Sequence, residues 1–430
     1  MGLLIAGNLA ADPTPFEPLY PGSVPLSGLL LAPDGNYYGT SPYGGANDLG
    51  MVFRLTPGGV LQPIYSFTGN NDGANPAAPL ALGADNYLYG TTRYGGSNQS
   101  GGIFKIDTYG NFQPLALIGG ALGAEPAGGM AKSTNNFMFG TTSAGGSNGF
   151  GTIFRTGTHT GFASVYSFSG SDGSDPEASL LAGVDGALYG TAQTGGAAND
   201  GTIFRITTAG SFQLLHSFKG SDGVMPGALV QGSNGALYGS TAYGGAGFGT
   251  IFSIQPDGSL FATLYNPAVE GGGSNPSGGL AVGADGNLYA TAIHGGANGF
   301  GSLFEESPAG MAVQHSFISD ALSDGANPAG LSSADGYTLA GTTLSGNAYL
   351  FYLPPLLKPA PGAVPGSFRF TFAYAAGNVF RVLATTNLAL PISKWTDLGY
   401  ADEGPVPGEY GFTSAPVANS PQLYFTVRSH

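Results

Sequence analysis

ALYGTAQTGGAANDGTIFRI, residues 187–206, decides the fold, because it recurs in complete or worn form seven times. Its tyrosine–glycine pair marks the register at Tyr38-Gly39, Tyr89-Gly90, Phe139-Gly140, Tyr189-Gly190, Tyr238-Gly239 and Tyr289-Ala290, with a worn seventh copy at Leu339-Ala340. The steps between copies are 51, 50, 50, 49, 51 and 50 residues. A period this regular, near ~50 residues, points to propeller blades. Within the fourth copy four short runs follow one another: 179–182, 188–191, 202–206 and 212–218. Asp185-Gly186 joins the first two, and Asp-Gly between apolar runs signals a hairpin. A loop with paired Gly195-Gly196 separates the second from the third, and a turn at 208–210 leads into the fourth. The third run is rich in β-branched and aromatic residues, which suit a pleated surface. Four antiparallel strands per repeat make one blade, and no segment has a helical period with caps. The expected fold is all-β: a seven-bladed β-propeller of four-stranded blades.

The chain ends support a closed ring. The last copy has a third strand over 349–353 and then meets Pro354, Pro355, Pro359 and Pro361, so its fourth strand is missing. The spare piece lies at the other end, where Phe16-Glu17-Pro18-Leu19-Tyr20 matches Phe112-Gln113-Pro114-Leu115-Ala116. The N-terminal strand is expected to complete the last blade, which removes exposed strand edges. A linear solenoid would need caps at both ends instead. Phe53, Phe104, Phe154, Phe204, Phe252 and Phe304 share one third-strand position and are expected to pack between blades. Arg54, Lys105, Arg155 and Arg205 also share one position, and a ring of equivalent residues reads as structural. His216 and His315 replace Tyr65 and Tyr166 in the fourth strand, so packing is their expected role.

The pattern LYGT, paired glycines, Asn and GTIF over residues 29–353 resembles the GloVer-type tandem repeat of exported bacterial proteins, a choice-of-anchor family with varied C-terminal anchors. The resemblance implies an exported protein, extracellular or associated with the cell surface. It implies no activity. Copy seven departs most, since Leu344-Ser345-Gly346 lacks the paired glycines.

Composition narrows the classes further. The chain has 430 residues, 42% of them hydrophobic, enough for a sizeable core. Charged residues are 9%, well under the usual level of about a quarter. Glycine is abundant at 76, but the period and the 27 Phe and 22 Tyr argue for packed β structure rather than low complexity. A net charge of −14 with 12 basic residues makes a poor nucleic-acid binder. With no cysteine there is no disulfide frame and no thiol chemistry. No run reaches the ~20 apolar residues of a membrane span. Residues 1–11 are apolar but lack Lys and Arg, so they make a poor signal peptide.

The chain divides into an N-terminal tail (1–15), the propeller (16–353), a proline-rich linker (354–367) and a small C-terminal β-sandwich (368–430). In the last part, 367–374, 379–385 and 422–428 alternate like strands. Trp395, the single tryptophan, reads as sandwich core rather than as a sugar platform.

Antiparallel topology places the loops entering each blade and the loops between strands two and three on one face, the top. Loops such as Asp72-Gly73, Asp172-Gly173, Asp222-Gly223 and Asp324-Gly325 offer oxygens of the kind that bind calcium. Their Asp, Gly and Pro also serve ordinary turn chemistry, and no metal or cofactor is expected. Gly145-Gly146-Ser147-Asn148-Gly149 joins two strands with no Lys-Ser or Lys-Thr following, which excludes a phosphate loop. In a repeat, function is expected where copies differ. Arg93, Tyr94, Tyr43, Tyr243 and His294 are such departures, all in loops between strands two and three. These five are the candidate ligand-binding residues, with His294, Tyr94 and Arg93 the candidates for catalysis: His as base, Tyr as proton donor, Arg pairing a carboxylate. The bland reading is that the tyrosines merely roof the blades. A hydrolase needs paired carboxylates, and Asp175 and Glu177 do not read as a convincing pair. Three functions follow: a binding or interaction module for carbohydrate or another surface component, a lyase-type polysaccharide-degrading enzyme, or a purely structural surface protein. The fold does not choose among them.

Overall fold

The computed structural model describes residues 16–20, 26–157, 161–265, 273–276, 279–307, 310–318, 325–333, 338–353, 358–360, 369–373, 380–385, 396–403, 409–413 and 424–429. Seven four-stranded antiparallel sheets follow one another around a ring. Blade one consists of Leu30–Leu31, Tyr37–Ser41, Met51–Leu55 and Leu61–Ser66. Blade four consists of Leu181–Ala182, Leu188–Ala192, Thr202–Ile206 and Phe212–Ser217, close to the expected runs. Its inner strand starts two residues later than expected, and Ser179, just ahead of it, accepts the Gly129 N–H of the preceding blade through its hydroxyl at 2.9 Å. Among the described residues helix is confined to short turns such as Gly120–Leu122.

The repeated residues build the contacts between blades. All six third-strand phenylalanines are buried. A β-carbon on Gly190 would lie 2.5 Å from Phe204 Cζ, which explains glycine in that blade. Blade six holds Ala290 in the same place, against Phe304. In two blades the threonine of LYGT ties the blade to the next: Thr40 Oγ1 donates to Ala78 O and Thr191 Oγ1 to Gly227 O, both at 2.8 Å. On the outer side, Tyr65 stacks on Phe112 and Tyr166 on Phe212 at 4.1 Å, and His216 stacks on Phe261 at 3.9 Å. The fourth-strand Tyr/His position is therefore inter-blade packing, as expected.

The bottom turns are equally occupied. The hydroxyls of Tyr38, Tyr89, Tyr189 and Tyr289 donate to Asp34, Asp85, Asp185 and Asp285 at 2.7–2.9 Å. Burial, reinforced by the Asp34 carboxylate, pushes the Tyr38 phenol up to about 12. Lys105 pairs with Asp85 at 3.0 Å and Arg205 with Asp185 at 2.9 Å. Arg54 donates to Gln62 at 2.6 Å, and Arg155 lies over the Phe137 ring. The basic ring is structural.

Phe16–Tyr20 closes the circle by pairing with Ala348–Tyr352, Phe16 opposite Phe351 and Glu17 opposite Leu350, with an irregularity between Pro18 and Tyr20. The Phe16 ring stacks on His315 at 3.8 Å. Phe16 thus does for blade seven what Phe112 does for blade two.

Beyond the ring, six strands pair in one antiparallel order: Lys358–Ala360, Arg369–Ala373, Glu409–Thr413, Thr396–Glu403, Phe380–Thr385 and Tyr424–Ser429. The strand Thr396–Glu403 gives its first residues to Phe380–Thr385 and Asp402 and Glu403 to Glu409–Thr413. The expected sandwich is thus seen as one hydrogen-bonded series linked through a shared strand. Three residues of the expected linker, Lys358–Ala360, pair with Arg369–Ala373. They hold the sheet edge, where proline is tolerated. Trp395 lies outside the described residues.

Candidate functional site

The two sets of top loops meet as the topology requires. Ala74 pairs with Tyr94, Ala124 with Ala144, Ser174 with Thr194, and Ser274 with His294. One loop position recurs in a left-handed conformation before proline: Asn75, Glu125, Asp175, Met225, Asn275 and Asn327, with φ between 52° and 58°. Asparagine suits this region. Its side chain also ties to the preceding blade, since Asn75 Nδ2 donates to Pro42 O at 2.8 Å and Asn327 Nδ2 to Ile293 O at 2.9 Å. Glu125 and Asp175 replace asparagine in two consecutive copies.

These replacements surround Arg93. Arg93 Nη2 lies 2.6 Å from Glu177 Oε1 across 84 residues of sequence, and Arg93 Nε lies 3.5 Å from Glu125 Oε2. The guanidinium is 5.7 Å from the Tyr94 ring centre. Burial pushes the Asp175 carboxyl above the usual carboxylate range; Glu177 and Glu125 add to the shift, and Arg93 opposes it. Blades two, three and four therefore share a half-buried charged cluster that is not repeated elsewhere among the described residues. The rule that function lies where copies differ found Arg93. Applied also to the loops entering the blades, the same rule singles out Glu125, Asp175 and Glu177, of which the sequence reading weighs only Asp175 and Glu177, as an unconvincing carboxylate pair.

The other candidates stand apart from this cluster. His294 is exposed on blade six, its Nδ1 3.3 Å from Asn327 Nδ2, a geometry in which the ring nitrogen accepts. Among the described residues no contact joins His294 to Arg93. Tyr43, Tyr94 and Tyr243 are 53%, 41% and 51% exposed. Phe150, Phe248 and Phe300 are exposed to a similar degree, in loops of the same set. Each precedes the glycine that opens a third strand, as in Phe150-Gly151, just ahead of the repeat's GTIF pattern. Six aromatic side chains thus stand out of one face, while the phenylalanines and tyrosines of the repeat core are buried.

The Asp-Gly loops are already engaged. Asp72 accepts from Tyr65 Oη at 3.0 Å and from Thr68 N at 2.8 Å, Asp172 accepts from Ser169 N at 2.8 Å, and Asp222 accepts from Lys219 N at 2.9 Å. Asp324 lies outside the described residues. Among the described residues no group of three or more His, Asp or Glu side chains is arranged to hold a metal ion. None of the helix there is long and apolar enough to cross a membrane.

Asp175 invites a direct test. A carboxyl whose folded value is raised leaves its full stability present below its ordinary value, and loses it as pH rises through the raised value. Asp175→Asn removes that loss and supplies the amide of Asn75 and Asn327. It is expected to stabilise the protein at pH 7 by about 1 kcal/mol, the worth of one hydrogen bond. The gain should shrink toward pH 3, where aspartate is already protonated and only the added amide hydrogen bond remains. Denaturant melts at the two pH values check this, and a variant less stable at pH 7 would refute it.

Fold and top face together define a repeat-built, seven-bladed β-propeller with one departing sector. The chain belongs to the Gloeobacter/Verrucomicrobia repeat family, whose model matches residues 16–186 and 160–351. Among solved structures it is similar to a streptogramin B lyase, with a TM-score of 0.56 and 17% identity over 78% of this chain and 96% of that one. It is also similar to the extracellular domains of two hybrid two-component systems of B. thetaiotaomicron. One has a TM-score of 0.56 and 13% identity over 85% of this chain; the other has 0.55 and 11% over 97%. The chain spans 45% and 56% of those two chains. At such identities the likeness is one of fold. No curated protein matches the chain.

Proposed function

We propose that this protein is an exported, surface-exposed propeller that binds carbohydrate through its top face. The observation that carries the reading is the crown of exposed aromatics, Tyr43, Tyr94, Phe150, Tyr243, Phe248 and Phe300, on the face that holds the Arg93–Glu177–Glu125 cluster. Rigid aromatic rings give large contact area at low entropic cost, and carboxylates accept hydrogen bonds from hydroxyls. Tyr94 brings the two kinds of group close, since its ring stands beside Arg93, which faces Glu125 and Glu177. An extracellular setting is supported by the family resemblance and by the extracellular propellers of similar fold. The lyase reading is weaker, because Arg93 already faces two carboxylates instead of standing free to neutralise a uronate.

The test is a panel of neutral and acidic polysaccharides, read by glycan binding and by ultraviolet absorbance of an unsaturated product. Binding without product is expected, weakened at least tenfold by Tyr94→Ala and unchanged by His294→Ala. Product formation abolished by His294→Ala would replace this reading with the lyase. Neither binding nor product on any glycan would leave a structural surface protein.

A further inference from the structure

The centre of the ring holds a second feature, apart from the aromatic crown. Inner strands and entering loops of blades five, six, seven, one and two close around a cavity of about 400 Å³. That volume lies within the range of small-molecule sites. It also exceeds the ~150 Å³ apolar cavity that stays dry and takes up benzene. Its wall includes Leu26, Leu29, Val230, Leu280 and Leu331, and among the described residues that line it none carries a titratable side chain. Half-exposed Leu344 borders it in the top loop of blade seven, which puts its mouth on the top face.

Three serines line the cavity. Two are turned to the backbone: Ser332 Oγ donates to Leu29 O at 2.7 Å, and Ser27 Oγ accepts from Thr40 N at 2.9 Å. Ser240 is different. It is 2% exposed, and among the described residues its hydroxyl meets no partner. Serine here is itself a departure, because Thr40, Thr91, Thr141, Thr191 and Thr291 hold this position in other copies. Thr40 and Thr191 commit the hydroxyl to the next blade. Thr91 and Thr291 also lack a partner, but their hydroxyls are sealed off and neither residue lines the cavity. Gly227 leaves Ser240 uncovered, since a β-carbon there would sit 3.6 Å from Ser240 Oγ. A buried hydroxyl without a hydrogen bond costs stability, and an acceptor oxygen brought into the cavity would recover it.

We propose that this cavity binds a small uncharged aliphatic molecule with one oxygen function, its chain against the leucines and its oxygen accepting from the Ser240 hydroxyl. A charged ligand is disfavoured, because no side chain of the wall would pair it. The site is separate from the carbohydrate reading and does not rest on it.

Four probes of equal chain length separate the contributions: 2-octanone, 1-octanol, octylamine and octanoate at pH 7, each titrated by calorimetry against the full chain. The ketone and the alcohol are expected to bind once per chain, and both ions at least tenfold more weakly. Ser240→Ala should weaken 2-octanone about fivefold, the worth of one hydrogen bond, with the melting curve kept. Ala329→Leu should weaken the ketone and the alcohol at least tenfold by filling the cavity, as Leu26 already does from the same repeat position in blade one. If that variant fails to fold, Ala77→Leu makes the same test from blade two. No saturable binding by ketone or alcohol would mean that the cavity holds water only, and would overturn the proposal. So would an ion binding as well as the ketone, a ketone affinity unchanged in Ser240→Ala, or affinities untouched by the leucine substitutions.

Discussion

Phe204→Ala is expected to destabilise the propeller by about 3–5 kcal/mol, the usual cost of emptying a buried aromatic site. Phe204 is fully buried between the fourth blade and its neighbours. Its ring meets Phe168 edge-on at 5.3 Å and stacks on Phe212 at 5.5 Å. Leu188 and Ile206 complete the cluster. Two effects compete when the ring is lost. The cavity costs stability, and collapse of the surroundings recovers part of it. Collapse is limited here, because Phe168 and Phe212 are themselves held by Tyr166 at 5.4 and 4.1 Å. Gly190 has no side chain to swing into the gap. The cavity effect therefore wins. Urea unfolding of the variant against the parent measures the difference, and a loss below about 1 kcal/mol would mean the site is not a tightly packed core position.

Legibility in the sequence followed the period. Tyr38, Tyr89, Tyr189 and Tyr289 recur because each hydroxyl must reach a turn aspartate. A geometry repeated in blade after blade leaves the same letters each time. Phe16 could be placed across the whole length of the chain for the same reason, since FEPLY copies FQPLA. The departing sector was half legible. Arg93 stood out because its neighbours in the loops between strands two and three differ so visibly. Asp175 hid inside Asp-Gly-Pro grammar, where an acid reads as turn chemistry, and Glu125 lay in a loop without that grammar, GGALGAEP. Their significance depends on the tertiary fact that a blade-two loop reaches a blade-four loop, as Arg93 reaches Glu177. No local pattern encodes that contact. Phe150, Phe248 and Phe300 hid differently, as aromatic letters among many buried ones, and only their exposure separates them. Past residue 353 the period ends, and alternation alone found strands without deciding how they pair.

Removing Phe16–Tyr20 is expected to lower the melting temperature by about 5–10 °C. The strand contributes two buried apolar side chains, Phe16 and Leu19, each worth about 2–5 kcal/mol when deleted from a core. It also satisfies the outer edge of Ala348–Tyr352, which would otherwise be an open template for other chains. Each kcal/mol moves the melting point of a domain of 150–250 residues by about 2–4 °C, and less in a larger ring. The direction is set by where Phe16 sits. Its ring lies between His315 of blade six and Tyr349 of blade seven, at 3.8 and 5.0 Å. Loss of the strand therefore opens the joint between two blades as well as an edge. Phe16→Ala alone should give a smaller fall, since the backbone pairing remains. Grafting the five residues behind residue 353, where the other six blades carry their outer strand, should restore most of the loss. A truncated protein with an unchanged melting curve would mean that the ring is held without this strand.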